Sequence, residues 1–304
     1  MNQAWSNTTA KTTAKTTGFG LHRQWQASIE LRFEPRNGRT ALPGLSHRGP
    51  LRVQRPFYPE GPVCHVYLLH PPGGLVSGDQ LKISVSLEPG SVALITTPSA
   101  GKIYKGDSCG VPQQQQVNLN VDTDATLEWL PQETILYDGA LGHSNTRVDL
   151  AAESRFIGWE IICLGRPANA IKFESGCFFQ DMAIYRDGLP LLLEKQHLQA
   201  GSPLAKQRWG LQGYPIVGNL YAVGFDSEPV ELIGQLRLQW NDLCSDKTST
   251  EDALLAISWR LGVLCIRYLG HDSEQARNAF TALWQTLRPA LIERQAVIPR
   301  IWLT

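Results

Sequence analysis

Three carboxylates stand in apolar stretches of this sequence, where an unpaired charge is costly to bury. Asp79 has the strand parity of Leu81, so its side chain is predicted to point toward a buried face. Glu133 directly follows a Pro-Gln corner, and Glu160 lies in a run, 156–164, that is apolar on both faces. Each should therefore either form a structural hydrogen bond or ion pair, or face a water-filled passage in which it handles a cation.

Softer metal ligands come close together in the sequence at residues 64–70. Cys64 and His65 point to opposite faces of a strand, which disfavours a closed zinc site. His70 precedes two prolines at the strand end, where it is either a single transient metal ligand or a solvated loop histidine. These side chains therefore do not predict a structural metal centre.

Familiar catalytic signatures are absent from the sequence. It contains no GxSxG, HExxH, GxGxxG or GxxxxGK[ST] motif. The glycine-rich stretch 73–78 precedes a predicted strand instead of opening a helix, so a helix N-terminus would not aim its amides at a phosphate. A hydrolase remains an alternative only if Asp79 and His70 meet in the fold.

The candidate residues lie on a chain of short predicted strands. Between residues 26 and 198, turn residues separate short apolar or alternating segments. The alternation is clearest from Leu81 to Leu87, which predicts a half-buried strand. Further strands are predicted at residues 91–97, 115–121, 125–130, 146–150, 155–164 and 178–185. Their regular spacing predicts a mainly β fold.

A weak internal repeat bears on how these strands are arranged. The pattern L-x3-P-x5-Y-x-G occurs at residues 94–106 and again at 127–139. Two copies that match at so few positions can also arise by coincidence. If the repeat is structural, each copy is one turn of a wound sheet, which is favoured over a simple sandwich.

The end of the chain is expected to be partly helical. Asp272 and Gln275 form a plausible capping box for a helix with apolar residues at helical spacing, which Pro289 should end or kink. A second helical stretch is predicted between Ser202 and Leu211. Residues 241–252 are predicted to be a polar connector and residues 262–269 one more strand.

Composition limits the partners and the compartment of this 304-residue chain. The 28 lysine and arginine residues balance the 28 aspartate and glutamate residues, which disfavours nucleic acid and membrane partners.

The six cysteines are scattered without a CxxC pair and are predicted to be reduced. Residues 1–17 carry no secretory signal and are predicted to be a flexible arm, with 18–304 as a single domain. No apolar run is long enough to span a membrane, so we expect a cytoplasmic protein.

Six short segments form a distinctive set along the chain. They are 70–79 (HPPGGLVSGD), 94–98 (LITTP), 129–135 (WLPQETI), 158–160 (GWE), 164–167 (LGRP) and 299–304 (PRIWLT). In content and in order they resemble the signature segments of the UreD family, also called UreH, of urease accessory proteins. Ser77 and Ser99 stand where the family usually has glycine, and Gly101 where it usually has threonine or alanine. These exchanges at turns leave the aspartate and both threonines in place.

The resemblance implies a non-enzymatic maturation factor with no tightly bound cofactor. Family members are mainly β, wound in a helix-like stack of many short strands with about two α-helices, here with one near the C-terminus. They bind UreF, which recruits the GTPase UreG, and the complex docks on apo-urease and assists nickel insertion. The implied assembly is a dimer of heterotrimers.

The resemblance also implies a water-filled tunnel that passes nickel transiently. Oxygen ligands suit such a path, because a cage of His and Cys would hold nickel too tightly to release it. The metal path is predicted to consist of Asp79, Glu133 and Glu160. Its predicted lining consists of Thr96, Thr97 and Asp138, with His70 as a possible ligand.

A pure scaffold is the alternative function. Such a protein would hold UreF, UreG and urease together without any passage of nickel. It would need an exposed apolar surface, for which the candidates are the Trp302 tail and the helical stripe formed by Phe280, Trp284 and Leu287. Such a stripe is more often simply part of a core.

Overall fold

Two large β-sheets make up most of the protein in the computed structural model, which describes residues 25–245 and 253–303. The strands are β1 (Trp25–Arg36), β2 (Arg39–Arg48), β3 (Arg52–Val53), β4 (Cys64–Leu69), β5 (Asp79–Leu87), β6 (Val92–Thr96), β7 (Gly101–Ile103), β8 (Gln113–Val121), β9 (Thr126–Leu130), β10 (Thr134–Leu136), β11 (Leu141–Leu150), β12 (Arg155–Leu164), β13 (Cys177–Arg186), β14 (Leu189–Gln199), β15 (Ile216–Val223), β16 (Leu254–Arg260) and β17 (Val263–Gly270). The α-helices are α1 (Pro203–Lys206), α2 (Val230–Ser245) and α3 (Ser273–Ile292). The predicted mainly β fold with a helix near the C-terminus is confirmed.

The chain winds repeatedly between the two sheets. The seven-stranded sheet has the order β14-β13-β11-β8-β5-β1-β2. The main path of the ten-stranded sheet is β16-β17-β15-β12-β9-β6-β4-β3, and the short strands β7 and β10 continue from β12. Strands β5, β6 and β7 form one turn and β8, β9 and β10 the next, and equivalent strands of the two turns pair in parallel. The wound arrangement explains why strands distant in sequence are neighbours in each sheet.

The internal repeat corresponds to two neighbouring turns of this winding. Strands β7 and β10 pair at the spacing of the repeat, and the rings of Tyr104 and Tyr137 pack edge to face with centroids 4.9 Å apart. The register differs in the first half of the repeat, where Leu94 lies opposite Glu128 instead of Leu127. The repeat is therefore structural around its tyrosines and shifted by one residue at its start.

Alternating side chains hold the two sheets face to face. In β5, Ile83, Val85 and Leu87 are buried while Lys82 is exposed, as predicted for a half-buried strand. The buried residues pack with those of the opposite sheet into one inter-sheet core. A slip of one residue in the strand register would turn this apolar set toward solvent, so the core also fixes the register.

Helix α3 packs on the other face of the ten-stranded sheet. Phe280, Trp284 and Leu287 are fully buried there, together with Trp159 of β12 and residues of α2. The apolar stripe of α3 is therefore core, and not the exposed docking face that a pure scaffold would need.

The ends of α3 differ from the prediction. Asp272 accepts a hydrogen bond from the backbone N–H of Glu274 (2.8 Å), but Gln275 accepts one from the hydroxyl of Tyr268 (2.9 Å). The reciprocal half of the capping box is therefore not formed. Pro289 does not end the helix, because α3 continues to Ile292. Pro289 has no N–H to donate to the carbonyl of Gln285, so α3 lacks one intrahelical hydrogen bond there, while the buried Leu291 and Ile292 keep its last turn packed against the core.

The other helical predictions are corrected by α1 and α2. The stretch between Ser202 and Leu211 contains only the single turn α1. Helix α2 was not predicted, and it includes residues 241–245 of the expected polar connector, whose remainder lies outside the described residues. The buried residues of α2 are confined to Leu232, Ile233 and Leu236, so its sequence carries only a short apolar pattern.

Several further predictions concern cysteines, termini and membranes. No disulfide bond joins the six cysteines, which all lie within the described residues, and Cys64, Cys163 and Cys265 are buried. Among the described helices, none is long and apolar enough to cross a membrane. The predicted flexible arm, 1–17, lies outside the described residues.

Candidate functional site

A cavity of about 340 Å³ with several polar side chains in its wall interrupts the inter-sheet core. On the seven-stranded sheet, Gln115, Ser144 and Gln180 lie side by side on β8, β11 and β13 and line it. The corresponding inward positions deeper in the sheet are apolar, for example Val148 and Ile184. A cavity of this size with polar walls has room for water. We call it the inter-sheet cavity.

Glu160 of β12 lies on the opposite wall of this cavity. Its Oε1 accepts a hydrogen bond from the Thr146 hydroxyl (2.6 Å), and its Oε2 accepts one from Nε2 of Gln180 (2.5 Å). Burial raises the pKa of Glu160 above its ordinary value, and the nearby charge of Glu194 adds to the rise. The two hydrogen bonds act in the opposite direction because they stabilise the carboxylate.

The surroundings of Glu160 contain no compensating positive charge within ion-pair distance among the described residues. The buried Gln180 adds an amide oxygen, Oε1, that has no hydrogen-bond partner in the described part of the chain. Carboxylate, hydroxyl and amide oxygens thus face a common space. Such a set of oxygens can solvate a divalent cation in place of part of its water shell.

His70 and Thr97 also line the inter-sheet cavity. Burial lowers the pKa of His70, while the negative charge of Asp79 opposes this shift. The imidazole is therefore available as a neutral metal ligand near neutral pH. The Thr97 hydroxyl donates to the carbonyl of Ser99 (3.2 Å) and accepts from the backbone N–H of Gln132 (2.9 Å).

Asp79 is buried at the start of β5, in the orientation that its strand parity predicts. Its Oδ2 accepts a hydrogen bond from the backbone N–H of Val76 (2.9 Å), which closes the turn before the strand. Asp79 is not part of the cavity wall, although it influences His70 through its charge.

Glu133 and Thr96 are buried but face away from the inter-sheet cavity. Oε2 of Glu133 lies 3.5 Å from Nη1 of Arg277 on α3. The Thr96 hydroxyl donates to the carbonyl of Leu130 (2.5 Å) and accepts from the indole N–H of Trp302 (2.8 Å). Both residues therefore contact the α3 side of the ten-stranded sheet.

Asp138 has a different environment from the other predicted lining residues. Its Oδ1 accepts hydrogen bonds from the backbone N–H groups of Glu174 (2.9 Å) and Ser175 (2.7 Å) and from the Ser175 hydroxyl (3.0 Å). The bond from the Ser175 amide is the main cause of a lowered pKa for Asp138. This carboxylate fixes a loop and lies outside the inter-sheet cavity.

The predicted carboxylates do not converge on one metal centre. Within residues 25–245 and 253–303, no group of three or more His, Cys, Asp or Glu side chains could hold a metal ion. The structure brings Glu160, His70 and Thr97 to one cavity and leaves Glu133, Thr96 and Asp138 elsewhere. A tightly held resident ion is therefore not supported by these side chains, whereas weak and transient contact with an ion is compatible with them.

Sequence reasoning missed a buried ion network beneath α3. The fully buried guanidinium of Arg288 donates from Nε to both oxygens of Glu128 (3.0 Å each) and from Nη2 to both oxygens of Glu60 (2.8 and 2.9 Å). Trp284 adds a hydrogen bond to Glu128 (2.7 Å), and His65 lies 2.7 Å from Glu60. A signal existed in the sequence, because Arg288 interrupts the apolar stripe of α3 and Glu128 interrupts an apolar strand.

A cluster of tryptophans joins the segments that carry the family resemblance. Trp302, in the C-terminal turn at Arg300–Leu303, packs with its ring centroid 5.7 Å from Trp159 and 5.9 Å from Trp284. Trp159 donates its indole N–H to the carbonyl of Pro131 (2.8 Å). Segments far apart in the sequence therefore meet at one place, where they anchor the end of the chain.

The fold and the cavity together define a class of protein: a wound, mainly β body with a cavity between its sheets whose wall includes one carboxylate, Glu160. Comparison with known proteins gives the family. The family model described as UreD urease accessory protein matches residues 26–303. The chain therefore belongs to the UreD family of urease accessory proteins, which confirms the resemblance of its sequence segments.

Individual relatives match over almost their whole length. The chain is 46% identical over 292 residues to the Urease accessory protein UreD of Pseudoalteromonas translucida, covering 94% of this chain and 93% of the relative. For the protein of the same name from Hahella chejuensis, the identity is 45% over 285 residues, covering 93% and 91%. For that of Citrobacter koseri, it is 40% over 286 residues, covering 93% of each chain.

Proposed function

We propose that this protein is a urease maturation factor of the cytoplasm. It binds UreF and, together with UreG, docks on apo-urease and assists the insertion of nickel. The assembly is a dimer of heterotrimers. Membership of the UreD family of urease accessory proteins supports this proposal. Relatives described as urease accessory proteins also support it, because the chain matches more than nine-tenths of their length.

In the proposed mechanism, nickel passes transiently through the inter-sheet cavity. The observation that carries this mechanism is the carboxylate of Glu160, which faces the cavity with no positive partner within ion-pair distance among the described residues. By contrast, the buried Glu128 is paired with Arg288. A carboxylate in a polar cavity without its own cation is stabilised when a cation enters.

The ligand set is suited to transfer and not to storage. Glu160 and Thr97 offer oxygen atoms, and a neutral His70 offers one nitrogen. Nickel bound to few protein ligands keeps part of its water shell and leaves easily, whereas several His or Cys ligands would hold it. The proposed path therefore begins with Glu160, His70 and Thr97, with Asp79 acting on His70 through its charge. Glu133, Thr96 and Asp138 lie outside this part of the path.

Reconstitution from purified components tests the maturation role. Apo-urease is incubated with UreF, UreG, GTP, bicarbonate and nickel, with or without this protein, and nickel per urease is measured after gel filtration. We expect nickel incorporation to depend on this protein and to fail when apo-urease is replaced by already matured urease. Equal incorporation in its absence would refute the maturation role.

The pure scaffold is the second candidate function. It is favoured by the observation that Glu133 and Thr96 make structural contacts with Arg277 and Trp302. A scaffold predicts that cavity variants which still assemble with UreF and UreG load urease normally. The cavity mechanism predicts that the same variants assemble but load poorly.

A further inference from the structure

A second, larger opening lies on the outside of the protein. It has a volume of about 1400 Å³ and is bounded by the loop 163–174, by residues 198–215 and by the start of α3. This volume exceeds the roughly 300–1,000 Å³ of typical small-molecule sites. We call it the outer cleft, and its size suits a segment of polypeptide better than a metabolite.

The floor of the outer cleft is apolar. Leu164, Leu204 and Leu211 line it, and they belong to or pack against a hydrophobic cluster under the cleft. Ile135 and Tyr137 also line the cleft. The thiol of Cys163 also borders the cleft, and burial raises its pKa to about 12, so it is neutral and adds to the apolar floor. An occupant with apolar side chains would bury them here.

The rim of the outer cleft carries basic side chains without partners. Lys102, Arg166, Lys172 and Lys206 line it, and none has an ion-pair partner within the described part of the chain. The guanidinium of Arg166 lies 4.6 Å above the ring of Tyr137. Its Nε is buried and has no hydrogen-bond acceptor among the described residues. A buried N–H without an acceptor is unusual in a folded protein, and this one is available to an acceptor on a ligand or on a water molecule.

Three acidic residues also line the cleft. Asp272 and Glu274 stand at the start of α3, and Glu174 stands at the end of the loop. The loop and α1 contribute the basic side chains Arg166, Lys172 and Lys206. An occupant is matched in charge when its acidic residues lie toward these three side chains.

We propose that the outer cleft docks an acidic, apolar segment of a partner polypeptide. The apolar floor takes its hydrophobic side chains, and Arg166, Lys172 and Lys206 take its carboxylates. Lys102 lines both the outer cleft and the inter-sheet cavity, so the docked segment lies next to that cavity. The assignment of the partner to the urease maturation assembly rests on the proposed function, whereas the chemistry of the docked segment does not.

Binding of short labelled peptides tests the chemistry of the cleft. The probe is a fluorescein-labelled peptide that alternates glutamate and leucine, and its binding to the full chain is followed by fluorescence anisotropy. A peptide that alternates lysine and leucine, and one that alternates glutamate and serine, serve as comparisons. We expect the glutamate–leucine peptide to bind at least about tenfold more tightly than either, with an affinity that falls as salt is raised. No binding, or equal binding of the lysine–leucine peptide, would overturn the proposal.

Charge reversal locates the binding. The double variant Lys172→Glu/Lys206→Glu changes two exposed lysines of the rim, and its matched control Lys82→Glu/Lys195→Glu changes two exposed lysines of the seven-stranded sheet. We expect about tenfold weaker peptide binding for the rim variant and no change for the control, because only the rim charges are close to the peptide. Equal weakening by both variants, or equally tight binding of a single-stranded DNA oligonucleotide, would indicate generic attraction and overturn the proposal.

Assembly with purified UreF, UreG and apo-urease then tests the identity of the partner. The rim variant should lose co-purification with at least one of the three proteins, while the control variant retains all three. Retention of all three by the rim variant would overturn the assignment to this assembly. Nickel loading by the unmodified chain tests the proposed function without any peptide. Failure of the maturation role is therefore distinguishable from failure of the docking proposal.

Discussion

At the scale of single residues, the cost of burying charge separates structural carboxylates from one that faces a cavity. The sequence predicts that Asp79, Glu133 and Glu160 are buried or in apolar surroundings, but it does not show what each one meets. That depends on side chains far away in the chain, such as Arg277 for Glu133 and Gln180 for Glu160. Parity along a strand gives the direction of a side chain, and only the packed fold gives its partner.

A pH-dependent stability is the first consequence for Glu160. Because its pKa is raised in the folded protein, the native state binds more protons than the unfolded state above the ordinary glutamate pKa of about 4.3. Wild-type stability should therefore fall as pH rises through the raised pKa. The variant Glu160→Gln has no charge at this position, so its stability does not fall in this way. The new amide group can donate a hydrogen bond to Oε1 of Gln180, which is free in the wild type, once the Gln180 side chain has rotated.

Urea unfolding between pH 5 and pH 8 measures this difference. We expect Glu160→Gln to gain stability relative to wild type as pH increases, and the gain to shrink toward pH 5. The exposed Glu88→Gln is the control and should follow wild type. Parallel pH profiles for wild type and Glu160→Gln would contradict the raised pKa.

The buried Arg288 gives a second prediction about single side chains. The variant Arg288→Met leaves Glu128 and Glu60 buried without their cation, so we expect a loss of about 3–5 kcal/mol in the free energy of unfolding. Arg277→Met on the same helix breaks a longer and more exposed contact with Glu133 and should cost about 1 kcal/mol or less. Similar losses for both variants, measured by denaturant unfolding, would contradict the role given to the buried network.

At the scale of secondary-structure elements, the strands were more predictable than the helices. The strand β5 was predictable because one of its faces is apolar and the other polar along its whole length. Helix α2 was not, because few of its residues are buried. The C-terminal turn could be recognised only as a sequence motif, since its contacts join segments that are distant in the chain.

The C-terminal turn is expected to be a stabilising anchor. Trp302→Ala removes ring contacts with Trp159 and Trp284 and the hydrogen bond to Thr96, so we expect a loss of about 2–4 kcal/mol. Trp302→Phe keeps an aromatic ring and should lose about 1 kcal/mol with the hydrogen bond. Leu303→Ala, at a side chain that is 77% exposed, should change the free energy of unfolding by less than about 0.5 kcal/mol. A Trp302→Ala variant as stable as Leu303→Ala would show that the turn is not anchored.

At the scale of the whole molecule, winding brings polar residues of successive turns together. Each turn adds one strand to each sheet, so polar residues at the same height in successive turns form a continuous polar patch, as Gln115, Ser144 and Gln180 do. The mainly β class and the repeat around Tyr104 and Tyr137 were predictable from the sequence. The polar patch was not, because it depends on the register between strands, which no local pattern specifies.

Nickel loading of urease by a cavity variant tests the central claim most directly. Glu160→Ala and the exposed control Glu88→Ala are each assembled with UreF and UreG, and the amount of complex is compared before apo-urease, GTP, bicarbonate and nickel are added. With equal complex formation, we expect at least about tenfold less nickel per urease for Glu160→Ala, because this variant lacks the unpaired carboxylate that would stabilise a passing cation. The control should load urease as wild type does. Normal nickel content with the fully assembled Glu160→Ala complex would contradict passage through the inter-sheet cavity.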